Sequence, residues 1–422
     1  MQRPKGLLRP SNHKPYAHGA TVSSQVYFCS SPIRIDPYNR CQFSCEYCFS
    51  RSRSRQHVPP GLQTLNASAF RSRLQRVSEG TIRSAFDEFL QERVPIQLGG
   101  LHDPFSKFEG QLQNSLSVLR VLHQFEYPTL ISTKGGLVAS SPYIDFLEEV
   151  PSLVRISMAG SSESLRRKVD KGSSPLKTVL GRIDTLSSRG IPVSVRLQPI
   201  LPGQERSILR IIPRLADAGA KHVAFEHLKL PLDPKAPERL AMTSLLGEKL
   251  TRLYQPENTY RVGRDLALKP HLKIELLRNA KEACHENGML FGAGDTEFIP
   301  ESDGNGCCNG SSLLIDRASQ FTGNLTGLIS SARMGQEIRF SDIYQHWTPR
   351  EDIHNYLTTN SRTRTRRKNA TSWLGLLEHR WNGKVSPYSP AFFMGVQWSG
   401  RQDSRGRNIY LRGNGLDTPS AV

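Results

Sequence analysis

Apolar runs recur through the first half of the chain, each following a stretch whose apolar positions are spaced three and four apart. Val94-Pro-Ile-Gln-Leu98, Thr129-Leu-Ile-Ser-Thr133, Val154-Arg-Ile-Ser-Met158, Val193-Ser-Val-Arg-Leu197 and His222-Val-Ala-Phe-Glu226 read as short strands. The segments 80–92, 109–124, 142–148, 176–188 and 205–218 carry the helical spacing ahead of them. With Pro32-Ile33-Arg34-Ile35-Asp36 as a first strand, the pattern predicts six βα units and a parallel sheet, an α/β fold. In such sheets chemistry sits on the loops after the strands. Beyond residue 229 the regularity lapses: 230–270 is broken by proline and arginine, 272–287 reads as a helix, and Met289-Leu-Phe-Gly292 reads as a strand before a turn-rich stretch to Gly310. The expected organisation is a basic arm over 1–30, a core over 31–228, a capping segment over 229–340 and a basic segment over 341–422.

The loop after the first strand carries Cys41-Gln-Phe-Ser-Cys45-Glu-Tyr-Cys48. Three thiols at this spacing can wrap one compact loop and each ligate a different iron of a [4Fe–4S] cluster. The fourth iron then has no protein ligand and can bind a small molecule. A structural zinc site is the alternative, but zinc takes four ligands, usually as two separated pairs, and no fourth Cys or His follows nearby.

At 422 residues the chain has room for one large α/β domain of roughly 250 residues with additions at either end. No apolar stretch approaches the ~18 residues a membrane span requires, and Met1-Gln-Arg-Pro-Lys-Gly6 lacks the apolar core of a secretion signal. Seven cysteines, three of them in one motif, suit a reducing compartment, so the expected location is the cytoplasm. A net charge of +18 favours association with polyanions, nucleic acid above all; a generally basic, solvated surface is the plainer reading.

With Tyr47 directly before the third cysteine, the motif resembles the radical S-adenosylmethionine (SAM) superfamily. The flanks resemble the spore photoproduct lyases and related DNA repair photolyase-like proteins: Asp36-Pro-Tyr-Asn-Arg-Cys41, Phe49-Ser-Arg51, Gly99-Gly-Leu-His-Asp103-Pro104, Ser132-Thr-Lys134, Ile156-Ser157 and Arg196-Leu-Gln-Pro-Ile-Leu-Pro-Gly203. The resemblance covers about 30–228 and implies a partial (β/α)6 barrel with a basic, aromatic-rich C-terminal extension. It implies a [4Fe–4S] cluster on Cys41, Cys45 and Cys48, S-adenosylmethionine at the open iron, and a one-electron reductant such as a flavodoxin or ferredoxin. Tyr47 would lie on the adenine side of the cofactor, Lys134 and Ser157 at its polar end. Gly99 and Gly100 would let the ligand approach the backbone, and Arg196, a charge amid Val and Leu, needs a partner inside the barrel. Where the photoproduct lyases carry the cysteine that returns hydrogen to the product, this chain reads Gly100-Leu101-His102-Asp103 and has no thiol.

Cys307 and Cys308 lie in a glycine-rich loop. Folded over the barrel mouth, one of them would donate hydrogen to a substrate radical; otherwise they join Cys284 at a second metal or have no duty. Cys29 reads as a small buried residue. Residues 341–422 hold twelve Lys or Arg against six Asp or Glu, densest at Arg362-Thr-Arg-Thr-Arg-Arg-Lys368. Among them stand Trp347, Tyr356, Trp373, Trp381, Tyr388, Phe392, Phe393, Trp398 and Tyr410. Cations with flat rings make a nucleic-acid surface; the same rings could instead be the core of an accessory domain. The leading reading is a radical enzyme that abstracts hydrogen from nucleic acid in repair or modification. The alternatives are a peptide or small metabolite as substrate, or a nucleic-acid-binding protein whose cluster is structural or redox-sensing.

Overall fold

A computed structural model describes residues 16, 19–50, 61–350, 372–383 and 389–416. Its main sheet has eight strands: β1 (Ala20–Val22), β2 (Ile33–Ile35), β3 (Ile96–Leu98), β4 (Thr129–Thr133), β5 (Ser152–Gly160), β6 (Val193–Ile200), β7 (His222–His227) and β8 (Leu290–Ala293), neighbours in that order. β1 pairs antiparallel with β2, and every later pair is parallel. The six expected strands are β2 to β7. The sheet continues past residue 228, because Leu290–Ala293 pairs with β7 in place of standing apart from it. Among the described residues the sheet does not close into a barrel.

Buried Val, Ile and Leu fill the strands, as sheets covered on both faces require. Helices pack against them with one apolar face each; Glu205–Asp217 buries Ile208, Ile211, Ile212 and Leu215. The helix expected over 109–124 is two, Glu109–Leu112 and Asn114–Gln124, because Gln113 takes φ +52°. Glu109 is the cause. Its fully buried carboxylate accepts from the amides of Ser115 and Leu116, capping the second helix, and from the hydroxyls of Tyr38 and Tyr143.

Most of the described C-terminal aromatics are buried and are not presented for stacking. Trp373, Trp381, Phe393 and Tyr410 are buried in the main hydrophobic core, and the indole N–H groups of the two tryptophans donate to the carbonyls of Gly323 and Asn408. Trp398, 57% exposed on the strand Val396–Gln402, is the described ring of that group most open to solvent. Arg51, Arg53, Arg55, Tyr356, Tyr388 and the run 362–368 lie outside the described residues. No described helix is long and apolar enough to cross a membrane.

Candidate active site: a thiol-lined cavity at the strand ends

The residues before the cysteine loop anchor it to its neighbours. Asp36, at the end of β2, accepts from the amides of Leu101 and His102 at 2.8 and 3.0 Å. Tyr38 donates to Glu109, and Asn39 exchanges hydrogen bonds with the backbone of Gln63. Ser44 and Cys45 then pair antiparallel with Asp170 and Lys171. The Glu46 amide donates to the Val169 carbonyl at 2.8 Å, and the Glu46 carboxylate pairs with Lys171. The Tyr47 hydroxyl donates to Asp170.

So held, Cys41, Cys45 and Cys48 all line one cavity of about 280 Å³ beside the carboxyl ends of β3 to β7. Burial pushes the Cys41 thiol up to about 12, with Asp103 adding to it, and pushes Cys45 to about 12 against the pull of Lys134. Both stay protonated until a cation offsets that burial. Among the described residues no three His, Cys, Asp or Glu side chains form a closed metal-ligand set. The donor chemistry nonetheless suits iron–sulfur: three soft thiols of one loop, facing one cavity.

Asp170 organises the opposite wall. It accepts from the Tyr47 hydroxyl, from the Ala159 amide at 2.7 Å and from Lys134, whose Nζ lies 3.1 Å from Oδ1. Lys134 also donates to the Ser157 carbonyl at 3.2 Å and stands 5.7 Å from the centre of the Tyr47 ring. Burial disfavours its charge, but Asp170 and its neighbours more than reverse this and hold its pKa above the ordinary value. Lys134 and Ser157 therefore meet, through the Ser157 backbone carbonyl. Asp170 gave no sequence signal, since its partners come from segments about 36 and 123 residues away.

Asp103 ties the loops after β3 and β4 together, accepting from Phe105 N, Thr133 Oγ1 and Lys134 N. Gly99 and Gly100 line the cavity, and at each the space that a side chain would take is filled by protein. A Cβ at Gly99 would stand 2.5 Å from Pro104 Cδ, and one at Gly100 would stand 2.5 Å from Arg34 Cδ. Arg196 has the partner it needs: Glu226, at 2.5 Å, which also holds Lys229 at 2.7 Å. Arg155, fully inside β5, rests on Ser132 Oγ at 2.7 Å with no carboxylate partner among the described residues, and burial with the nearby Arg196 pulls it down to about 10. It carries the same signal as Arg196, a charge within an apolar strand.

The Cys307–Cys308 loop does not cover the cavity mouth. Gly310 packs on the ring of His222 at the start of β7, the Cys308 carbonyl closes on Gly292, and Ile315 clusters with Leu130 and Leu153 near the starts of β4 and β5. The loop thus plugs the amino-terminal side of the sheet. The Cys307 thiol is buried and donates to Asn309 Oδ1 at 3.0 Å. Neither cysteine lines the cavity, and Cys284 is buried on the helix Ile274–Glu286. Cys29, read from sequence as mere packing, does line it.

Two further residues went unmarked. His227, at the end of β7, faces the cavity and pairs through Nδ1 with Asp295 at 2.6 Å. Asp295 is in turn held by the buried Lys273 at 3.4 Å. Glu238, on the helix Pro237–Leu246, lines the same cavity.

Among solved structures, the chain superposes on spore photoproduct lyase complexed with dinucleoside spore photoproduct with a TM-score of 0.51 at 14% identity, covering 68% of this chain and 86% of the lyase. A cysteine-to-alanine mutant of that lyase gives 0.50 at 12% identity over the same shares. The fold is that of spore photoproduct lyase. Within it, the cysteine loop follows the first parallel strand and the cavity faces the strand ends. No protein-family model matches the chain. Among curated proteins, Rv2578c of Mycobacterium tuberculosis and Mb2609c of Mycobacterium bovis, both described as uncharacterized, are each 26% identical over 210 residues. That match covers 46% of this chain and 58% of each relative, so the chain spans little more than half their length.

Proposed function

We propose that this chain is a radical SAM enzyme that abstracts hydrogen from nucleic acid, in repair or modification. One observation carries the reading: the three cluster-spaced thiols share a single cavity with Lys134 and Ser157. Cys41, Cys45 and Cys48 would hold a [4Fe–4S] cluster with one open iron. Held by these thiols, such a cluster would supply the one-electron reduction needed to cleave SAM and start hydrogen abstraction from the substrate. Lys134 offers a positive charge for the SAM carboxylate, and Asp170 fixes both that ammonium and Tyr47. Buried side chains around the site limit water access to a reactive radical.

A nucleic-acid substrate is supported by the net charge of +18 and by Arg34, Arg155, Arg196 and Lys229 on the cavity lining. The lyase with the same fold is known in complex with a dinucleoside. The electron donor would be a flavodoxin or ferredoxin. All seven cysteines are free, in keeping with a reducing cytoplasm.

Anaerobic reconstitution tests the reading. Reduced protein should convert SAM to 5′-deoxyadenosine, and Cys45→Ala should lose both the bound iron and that product. Zinc in the purified protein, or iron without turnover, would reject it. With deuterated oligonucleotides, label recovered in 5′-deoxyadenosine would establish nucleic acid as the substrate; its absence alongside active SAM cleavage would point to another substrate.

A further inference from the structure

The buried carboxylates of this protein are almost all fully engaged. Glu109 is met by two amides and two hydroxyls, Asp87 by two arginines and an amide, Asp295 by His227 and Lys273. Glu238 is different. It is 2% exposed, it lines the cavity, and neither Oε1 nor Oε2 has a hydrogen-bond partner among the described residues. A buried carboxylate without donors is costly and rare in native proteins. Its position in the first turn of Pro237–Leu246 lends it the positive end of the helix dipole, which offsets only a small part of that cost.

A second acceptor faces the same cavity. His227 Nδ1 lies 2.6 Å from the Asp295 carboxylate, an arrangement in which Nδ1 donates; in the neutral imidazole so held, Nε2, which has no partner among the described residues, is an acceptor. Asp295 here is a positioning residue. Lys134 and Arg155, by contrast, bring donors to the lining.

We infer that Glu238, assisted by His227, is a recognition carboxylate that binds a ligand group presenting paired N–H donors. An ammonium or an amino-bearing base edge matches two free carboxylate oxygens. Two sources share that chemistry, the amino groups of SAM and a base of the nucleic-acid substrate; the choice of these two rests on the function proposed above.

The test compares full-length, anaerobically reconstituted wild type with Glu238→Gln. Three quantities are measured: the melting temperature without ligand, the SAM dissociation constant, and the affinity for a mixed-sequence single-stranded decamer with SAM present. The ligand-free variant should melt no lower than wild type, because it removes a buried carboxyl group that has no donors among the described residues. Affinity for one probe should fall roughly tenfold or more, the weight of a lost charge-assisted hydrogen bond. Loss on SAM assigns the donors to the cofactor; loss on the decamer alone assigns them to the substrate. A lower melting temperature with both affinities within about twofold of wild type would overturn the inference, as would wild type binding neither probe. Glu238→Met, which removes both acceptors at similar size, serves if the amide variant does not fold. Wild type that binds SAM but yields no 5′-deoxyadenosine would defeat the radical reading while leaving the SAM comparison intact.

Discussion

At Gly99 the backbone has φ +87°, and a Cβ there would fall 2.6 Å from the Ser132 carbonyl oxygen as well as against Pro104. Gly99→Ala is therefore expected to cost about 2 kcal/mol or more, combining a left-handed alanine with a contact to rigid backbone. Gly100→Ala should cost clearly less, since its Cβ meets the movable Arg34 side chain, and denaturant unfolding of the two variants checks the order. The same scale shows what a sequence discloses. That Cys41, Cys45 and Cys48 face one cavity is legible because they lie within a single short loop. Arg196 is legible because a charge within an apolar strand demands a partner, and Glu226 supplies it. Asp170, His227 and Glu238 are not legible, because each acquires its meaning from segments that only the fold brings beside it.

Among the elements, the helices Ala67–Ser78 and Ala85–Gln91 are joined through Asp87. Its carboxylate accepts from Arg73 at 2.6 Å and Arg76 at 2.9 Å on the first helix and from the Arg83 amide before the second. Burial alone would push the Asp87 carboxyl up, but these bonds, Arg73 foremost, hold it below the usual carboxylate value. A depressed folded-state pKa gives stability that is full above the unfolded value near 3.8 and is lost as pH falls through the folded one. Asp87→Asn should thus cost about 2–3 kcal/mol at neutral pH and flatten the acid limb of stability against pH, read by urea unfolding from pH 7 downward. Strands β2 to β8 were legible to within two or three residues at each end because their apolar runs are short and bounded, whereas β1, inside the basic arm expected over 1–30, was not. The break at Gln113 was not, since an amphipathic pattern runs through it and the reason for it, buried Glu109, depends on Tyr38 and Tyr143 from elsewhere. The fate of the Cys307–Cys308 loop was equally hidden, as nothing local says which side of a sheet a glycine-rich turn will cover.

Over the whole molecule, the C-terminal aromatics close the core in place of forming a separate module. The ring centres of Trp373 and Tyr27 lie 5.1 Å apart, and the Arg380 guanidinium stands 4.2 Å from the centre of the Tyr27 ring. Trp373→Ala should cost about 3–5 kcal/mol and lower a single melting transition followed by circular dichroism and fluorescence. An independent C-terminal unit would instead melt apart from the rest. Removing the segment is therefore a poor way to probe nucleic-acid binding; substitution within 362–368 leaves the core aromatics in place. The segment leading into β2 is fastened by distant residues: the Leu325 amide donates to the Tyr27 carbonyl, the Asn324 side chain to that of Cys29, and the Phe321 amide to that of Ser30. Those fastenings exist only once residues 321–325 have been synthesised. The cluster proposed above would therefore be loaded late, and its three thiols would stand open to oxidants through most of translation.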